Sequence, residues 1–144
     1  ENPSFIKPPL LHPIERKHVR PRDYVNPQPQ EPQQQIWFRA LGDLGDDLTR
    51  HQTLLAFISD FGLLGSALLP HPYTAMNTDI QAASLDHALW FHQPFKADDY
   101  LLYCLDSPIA AGARGFSRGS FYTRDGVLVA STAQESLQRI RTPN

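Results

Sequence analysis

The chain has 144 residues, a length that one domain commonly occupies. Its formal net charge of −2 and its pI near 6.3 give no reason to expect nucleic acid or an anionic membrane as a partner. The single cysteine, Cys104, excludes an internal disulfide framework, and no spaced set of Cys and His residues predicts a zinc site.

The first part of the chain is rich in proline. Residues 1–33 carry eight of the thirteen prolines, and proline fixes the backbone angle φ and removes a hydrogen-bond donor. We therefore expect an extended arm over residues 1–33 and a compact domain over residues 34–141. Within the arm, the segment IERKHVR predicts a short edge strand near residues 14–20, because prolines are tolerated at the ends of such a strand.

This expected edge strand is strongly basic. A cluster of this kind usually forms a solvated face, and the alternative that it holds the phosphates of a ligand stays open. Its members are Arg16, Lys17, His18, Arg20 and Arg22.

A long helix is predicted in the middle of the chain. Residues 46–69, DDLTRHQTLLAFISDFGLLGSALL, contain few helix breakers and carry apolar residues at helical spacing on two neighbouring stripes. The pattern predicts a helix buried on nearly every side over residues 47–64, about 27 Å long, whose first turn Asp46 can cap. It is too short to cross a membrane, and the polar pair Ser59 and Asp60 lies inside it.

Asp60 is the unusual residue of this helix. A carboxylate among apolar residues is costly unless it is paired or used, because desolvation disfavours its charged form. Two interpretations stay open at this point. Asp60 either ends one helical segment and caps the next, since Gly62 and Gly65 follow closely, or it has a catalytic role.

Strands are predicted on both sides of the helix. Short links between them indicate antiparallel neighbours, and the Asp125–Gly126 pair is typical of a hairpin turn. A sheet that covers a helix apolar all round must curl about it, so this order of elements predicts an α+β hotdog fold, a curved antiparallel sheet around one long central helix. The strands are expected at residues 35–41, 82–92, 100–106, 112–123 and 127–140, with a loop at residues 70–77.

Several polar residues lie in or beside these strands. Gln134 falls on a strand face that begins apolar, where a buried amide needs partners, although a sheet-edge glutamine in water is the common alternative. Ser84 alone is an ordinary loop hydroxyl. Adjacent residues on a strand point to opposite faces, so Asp86 and His87 do not form a pair, and both are interpreted with His92 as structural polar residues.

Three segments of the chain resemble one family. SDFGLL, ASLDHALWFHQPF and ARGFSRGSFYTRDGVLVASTAQES follow the order and spacing of the second half of the acyl-CoA thioesterase II (TesB-like) family, over about residues 13–139. The resemblance implies a hotdog domain that hydrolyses acyl-CoA thioesters to free fatty acid and coenzyme A without a cofactor. It also implies a full-length protein with two hotdog domains in tandem, of which this chain holds the second.

The resemblance also implies a catalytic site. In the family an aspartate, a Ser or Thr hydroxyl and a glutamine activate a water molecule, and these fall on Asp60, Ser84 and Gln134. Asp60 would act as base or electrostatic support, while Ser84 and Gln134 would orient the water or donate to the developing oxyanion. Bacterial members tend to carry Thr where this chain has Ser84. No covalent intermediate is expected, since Cys104 has no adjacent histidine and a serine without a base is a poor nucleophile.

Two other functions remain open. A hotdog hydratase or dehydratase would use a histidine as its acid–base group, but His51 lies one turn into the helix and not beside Asp60. A non-catalytic structural half is the second alternative. Arg114 and Arg118 could contact the phosphates of coenzyme A, although a solvated sheet face explains them equally well.

The expected partners follow from the fold. An unpaired sheet edge favours pairing, either in a homodimer joined edge to edge or with an N-terminal hotdog domain. No nucleic acid partner and no membrane span are expected. The resemblance is compatible with a cytoplasmic or peroxisomal location, and the chain ends Arg-Thr-Pro-Asn, without a Ser-Lys-Leu targeting tail.

Overall fold

The computed structural model describes residues 13–141. The first twelve residues of the expected arm and the last three residues of the chain lie outside this range. The described residues form seven strands and two helices. These are β1 (Ile14–His18), β2 (Gln33–Ala40), α1 (Leu48–Ser59), α2 (Leu63–Leu68), β3 (Ile80–Ser84), β4 (Ala88–Phe91), β5 (Leu101–Ala111), β6 (Arg114–Thr123) and β7 (Leu128–Ile140).

The strands form one antiparallel sheet in the order β1-β2-β5-β6-β7-β3, with β4 also paired to β7. The sheet curls around the helical segment, which confirms the predicted architecture. The edge strand expected near residues 14–20 is β1, which lies at one end of the sheet. The boundary between arm and domain at residue 33 stays a prediction.

The strand predicted over residues 82–92 is two strands, so the sheet has one strand more than expected. β3 pairs with the second half of β7 and β4 with its first half. Between them the chain leaves the ladder, because the Asp86 carboxylate accepts the backbone N–H of Glu135 at 2.6 Å in place of a carbonyl group. The single long strand was therefore a wrong prediction.

The strand expected at residues 100–106 is longer than predicted. β5 continues through Pro108, and its pairing with β6 changes register between Asp106 and Ile109. A bulge of this kind accommodates the missing N–H of proline inside a paired strand. The predicted hairpin turn between β6 and β7 is confirmed, since Gly126 has φ of 82° and Thr123 N donates to Val127 O at 3.0 Å.

The central helix is broken, which corrects the prediction of one continuous helix. α1 ends at Ser59 with Asp60 as its C-cap, and α2 begins after Gly62, whose φ of 94° lies in the left-handed region. Glycine adopts this angle without the steric cost that a Cβ brings, so the chain can turn there. Asp60 thus ends one helical segment but does not cap the next, because the N-cap of α2 is Gly62.

The start of α1 also differs in detail from the prediction. Its N-cap is Asp47, whose carboxylate accepts a hydrogen bond of 3.0 Å from the Thr49 amide. Asp46 forms an ion pair with Lys96 instead, at 2.6 Å. Capping by Asp46 was therefore wrong by one residue.

α1 is buried on one face only. His51, Leu55, Ile58 and Ser59 are buried against the sheet, whereas Phe57 on the other side is 57% exposed. A single sheet covers one side of a helix, so the expectation of burial on nearly every side is wrong for this chain. No helix within residues 13–141 is long and apolar enough to span a membrane.

Candidate active site

Ser84 and Gln134 meet where β3 pairs with β7. Ser84 is the last residue of β3, and the Gln134 amide Nε2 donates to its Oγ at 3.0 Å. Gln134 is only 1% exposed, and its strand β7 is not an edge strand, since it pairs with β6 on one side and with β3 and β4 on the other. The alternative of a sheet-edge glutamine in water is therefore wrong, and the buried amide has the partners that it needs.

Asp60 lines the same cavity as Ser84. The cavity has a volume of about 910 Å³, and the exposed side chain of Asp60 lies at the break between α1 and α2. Gln134 is not among the lining residues and reaches the cavity through Ser84. The structure thus joins two of the three predicted residues directly and brings the third to the same cavity.

Tyr103 of β5 fixes the end of α1. Its hydroxyl donates to the carbonyl oxygen of Ser59 at 2.8 Å and lies 2.7 Å from Thr132 Oγ1 of β7. Because a phenol has one hydrogen, Thr132 is the donor in the second contact. Burial raises the pKa of Tyr103 well above its ordinary value, and the nearby charge of Asp60 adds to this effect. Tyr103 is therefore a neutral donor that holds the backbone directly before Asp60.

Glycine at position 119 makes room for this tyrosine. A Cβ on Gly119 would lie 2.2 Å from Tyr103 Cε2 and 2.6 Å from Thr132 Oγ1. The Tyr103 ring also stacks on Phe121, with 3.7 Å between the ring centroids. The packing on β6 thus determines where the Tyr103 hydroxyl reaches α1.

His87 is the residue that the sequence interpretation missed. Its Nε2 lies 2.8 Å from Ser59 Oγ, and its Nδ1 lies 2.7 Å from Gln134 Oε1. By contrast, Asp86 binds the β7 backbone and His92 Nε2 contacts Ser131 Oγ at 2.8 Å, as structural polar residues do. The sequence did contain one indication of this role, since His87 follows the predicted site residue Ser84 by only three positions.

One wall of the cavity is basic. Within residues 13–141, Arg16, Arg20 and Arg22 form no ion pair with a carboxylate, although Arg22 donates to the carbonyl oxygen of His71 at 2.8 Å. Arg16 also lies over the ring of Phe61, 5.5 Å from its centroid. Basic and apolar side chains therefore line the cavity together with the residues of the site. The basic ones are Arg16, His18, Arg20 and Arg22, and the apolar ones include Ile36, Phe38, Phe61, Leu64, Leu68 and Leu69.

Arg114 and Arg118, which the sequence analysis considered for the phosphates of coenzyme A, lie outside this cavity. Arg118 pairs with Asp106 at 2.5 Å, and Arg114 lies 3.7 Å from Glu135. Neither lines the cavity that contains Asp60. Ion pairing on the sheet explains both residues.

His51 and Cys104 have no part in this cavity. His51 is buried, its Nδ1 accepts the Ala97 amide at 3.0 Å, and its Nε2 donates to the carbonyl of Gly45 at 2.9 Å. Both ring nitrogens thus have structural partners. Burial raises the pKa of the Cys104 thiol, which favours the thiol over the nucleophilic thiolate.

Comparisons with known proteins agree with this fold. The family model described as acyl-CoA thioesterase matches residues 11–137. The chain is 45% identical over 130 residues to acyl-coenzyme A thioesterase 8 of Mus musculus, a match that covers 90% of this chain and 40% of that protein. The matched part is the C-terminal half of such relatives, which corresponds to a second hotdog domain.

Solved structures give the same result. The acyl-CoA thioesterase II TesB2 from Mycobacterium marinum is 44% identical with a TM-score of 0.77, over 90% of this chain and 50% of that one. A protein with a hot dog fold from Alicyclobacillus acidocaldarius has a TM-score of 0.65 at 14% identity, over 90% of this chain and 47% of that one, which is a likeness of fold alone.

The class of protein is therefore a hotdog domain of thioesterase type. The chain belongs to the acyl-CoA thioesterase family. It spans about 40% of the length of the curated relatives that it matches.

Proposed function

We propose that this protein hydrolyses acyl-CoA thioesters to a free fatty acid and coenzyme A. The observation that carries the proposal is the hydrogen bond between Gln134 and Ser84 at a cavity that Asp60 also lines. The resemblance of the sequence implies the same three residues, and membership of the family supports the same chemistry.

The proposed reaction uses one water molecule. The Asp60 carboxylate accepts a proton from the water as the water oxygen attacks the thioester carbonyl carbon. Ser84, held in place by Gln134, orients the water or donates to the oxyanion that forms, which is where preorganised donors have their largest effect. The tetrahedral intermediate then collapses, the C–S bond breaks, and the proton passes to the sulfur of coenzyme A.

A covalent route has less support. The group hydrogen-bonded to Ser84 is the Gln134 amide, which cannot accept the serine proton as an imidazole would. Cys104 lies on β5 against Gln35 rather than in the cavity, and it is held as a thiol. Direct attack by water needs neither residue as a nucleophile.

The cavity also suggests how the substrate lies. Coenzyme A is anionic, and guanidinium groups bind phosphates with paired, charge-assisted hydrogen bonds. We assign the phosphates to the wall formed by Arg16, Arg20 and Arg22, and the acyl chain to the apolar wall near Leu64 and Leu68. This assignment replaces Arg114 and Arg118, which are engaged by carboxylates elsewhere.

The proposed protein partner is a second hotdog domain, either another copy of this chain or an N-terminal domain of the same protein. Within residues 13–141, β4 pairs only with β7 and is therefore an edge strand. Phe57 on α1, and Leu85 and Trp90 beside or on this edge, are exposed apolar side chains. Pairing along β4 would cover them and bring the two α1 helices together.

Release of free coenzyme A tests the proposed function. The protein is incubated with acyl-CoA and a thiol reagent, and the expected result is thiol release that Asp60→Asn strongly reduces. The hydratase alternative is tested with an enoyl-CoA substrate. Loss of the substrate's absorbance without release of thiol would favour a hydratase. A correctly folded wild type that releases no thiol would contradict the proposal and favour a non-catalytic half.

A further inference from the structure

A chain of hydrogen bonds connects the end of α1 with Ser84. It runs from Ser59 through His87 to Gln134 and from there to Ser84, with contacts of 2.8, 2.7 and 3.0 Å. We propose that His87 is a positioning residue that fixes the orientation of the Gln134 amide and, through it, the Ser84 hydroxyl. The effect on turnover rests on the proposed function, but the contact itself can be tested without turnover.

The proton on Nε2 of His87 follows from the contacts of Ser59. Ser59 Oγ donates to the carbonyl oxygen of Ala56 at 2.7 Å. A hydroxyl carries one hydrogen, so toward His87 the same oxygen can only accept. Nε2 of His87 is therefore protonated, and Ser59 holds the ring by that nitrogen.

The other ring nitrogen then controls Gln134. An amide presents an oxygen that only accepts and a nitrogen that only donates. When Nδ1 accepts, the amide turns its nitrogen toward the ring, and when Nδ1 donates, the amide turns its oxygen toward the ring. In this structure the amide oxygen Oε1 lies 2.7 Å from Nδ1. In either case the ring determines the orientation of the amide.

Burial makes this control effective. Gln134 is 1% exposed, so solvent water does not compete for the end of the amide that faces His87. A buried amide end without a partner is costly, and the amide without His87 would turn or shift to find one. His87 itself is not among the residues that line the cavity, so it acts through Gln134 rather than on the substrate.

The orientation of the amide decides what Ser84 can do. When Gln134 Nε2 faces Ser84, as here, the serine accepts and its hydrogen remains available to the cavity. When Oε1 faces Ser84, the single hydrogen of the serine is used on Gln134. A donor aimed at the water or the oxyanion is therefore available in one orientation only.

Two substitutions at position 87 separate the two contacts of the ring. The amide of asparagine reaches the place of Nδ1, and the amide of glutamine reaches the place of Nε2. His87→Asn should therefore keep the contact with Gln134, whereas His87→Gln should keep the contact with Ser59. We expect His87→Gln to lower kcat by about 10-fold to 100-fold with little change in KM, and His87→Asn to be about 10-fold more active than His87→Gln.

A double-mutant cycle shows whether His87 acts through Gln134. In a Gln134→Ala background, His87→Gln should have no further effect on kcat, because the residue that it positions is gone. Thermal melting of each variant controls for folding. Equal losses in His87→Asn and His87→Gln, or losses that multiply in the Gln134→Ala background, would overturn the proposal.

The ¹⁵N signals of the His87 ring test the contacts independently of activity. Gln134→Ala should shift the Nδ1 signal more than the Nε2 signal. Ser59→Ala should shift the Nε2 signal more than the Nδ1 signal. An Nδ1 signal that Gln134→Ala does not move would overturn the proposal. A wild type without turnover would instead overturn the proposed function. The ring signals would still show whether His87 contacts Gln134, because they do not depend on activity.

Discussion

The Gln134 amide donates to the Ser84 hydroxyl at 3.0 Å across the pairing of β7 with β3. The two residues are separated by 50 positions in the chain, and only the antiparallel register of these strands brings them together. Asp60 reaches the same cavity from the break between α1 and α2. The site therefore depends on two separate features of the fold, the register of β3 with β7 and the break between α1 and α2.

Asp60→Asn keeps the shape of the side chain and removes its charge. We expect kcat for acyl-CoA hydrolysis to fall by about 10² to 10⁴, the usual contribution of a positioned base. Asp125→Asn, in the turn between β6 and β7, is the matched control and should leave kcat unchanged. Near-normal turnover of a folded Asp60→Asn variant would exclude the role proposed for this carboxylate.

Substitutions at Ser84 separate the hydroxyl from its position. Ser84→Thr keeps the hydroxyl and should retain most activity. Ser84→Ala removes the hydroxyl donor and should lower kcat by a factor on the order of 10². Gln134→Ala should cost a similar factor, because it removes the partner of Ser84. Steady-state kinetics measure all three, with the exposed Gln81→Ala of β3 as control. Equal activity of Ser84→Ala and Ser84→Thr would contradict a role for the hydroxyl.

Gly119→Ala tests the packing behind the site. The added Cβ would lie 2.2 Å from Tyr103 Cε2, so the ring that holds the carbonyl of Ser59 must move. Overpacking of this kind should lower the free energy of unfolding by about 1 to 3 kcal/mol and also lower kcat. Gly42→Ala is the control, since a Cβ added there would have no atom within 4 Å beyond its own residue and chain neighbours. Denaturant unfolding of both variants makes the comparison, and equal stabilities would argue against this packing constraint.

Much of the fold could be predicted from the sequence, because periodicity and turn residues mark elements locally. The breaks could not be predicted, since each depends on a contact or on local geometry that the pattern does not contain. The helix breaks at Gly62 because this residue takes a positive φ, and the strand over residues 82–92 breaks because Asp86 binds Glu135 N.

The same limit explains which site residues were found. Ser84 and Gln134 came from the resemblance to a family, and their direct contact bears out only that they lie together. His87 was set aside because strand residues alternate between faces. That rule does not hold at His87, which lies between β3 and β4 and outside either strand.

Glu15 of β1 should contribute to stability in a pH-dependent manner. Hydrogen bonds with Lys17 and Tyr100, and then with Arg39, lower its pKa from an ordinary value of 4.5 to about 2. Between these two values the unfolded chain binds a proton that the folded chain does not. The contribution of Glu15 is thus complete above pH 4.5 and is lost as the pH falls toward 2.

The measurement compares the unfolding midpoints of wild type and Glu15→Gln from pH 7 downward. The advantage of the wild type should be constant above pH 4.5 and should shrink as the pH approaches 2. In a Lys17→Met background the advantage should be smaller, because the strongest partner of Glu15 is absent. An advantage that grows on acidification would contradict the assigned direction of the pKa shift.

The last prediction concerns self-association. β4 is an edge strand, and unpaired strand edges are usually covered or paired in natural proteins. Phe57 on α1 is 57% exposed, although α1 is the central helix of the fold, and a second copy paired along β4 would cover it. We expect a homodimer that buries at least ~1,000 Å² in total, the lower range for a specific interface.

Phe57→Asp should convert this dimer to a monomer, because a carboxylate in an apolar interface lacks a partner there. Ile109→Asp is the matched control: Ile109 is 58% exposed, and it lies on β5, away from the β4 edge. Light scattering at micromolar concentration measures the mass of each form. A wild type that stays at the monomer mass of 16.3 kDa would mean that a second copy does not cover this edge, and equal dissociation of both variants would place the interface elsewhere.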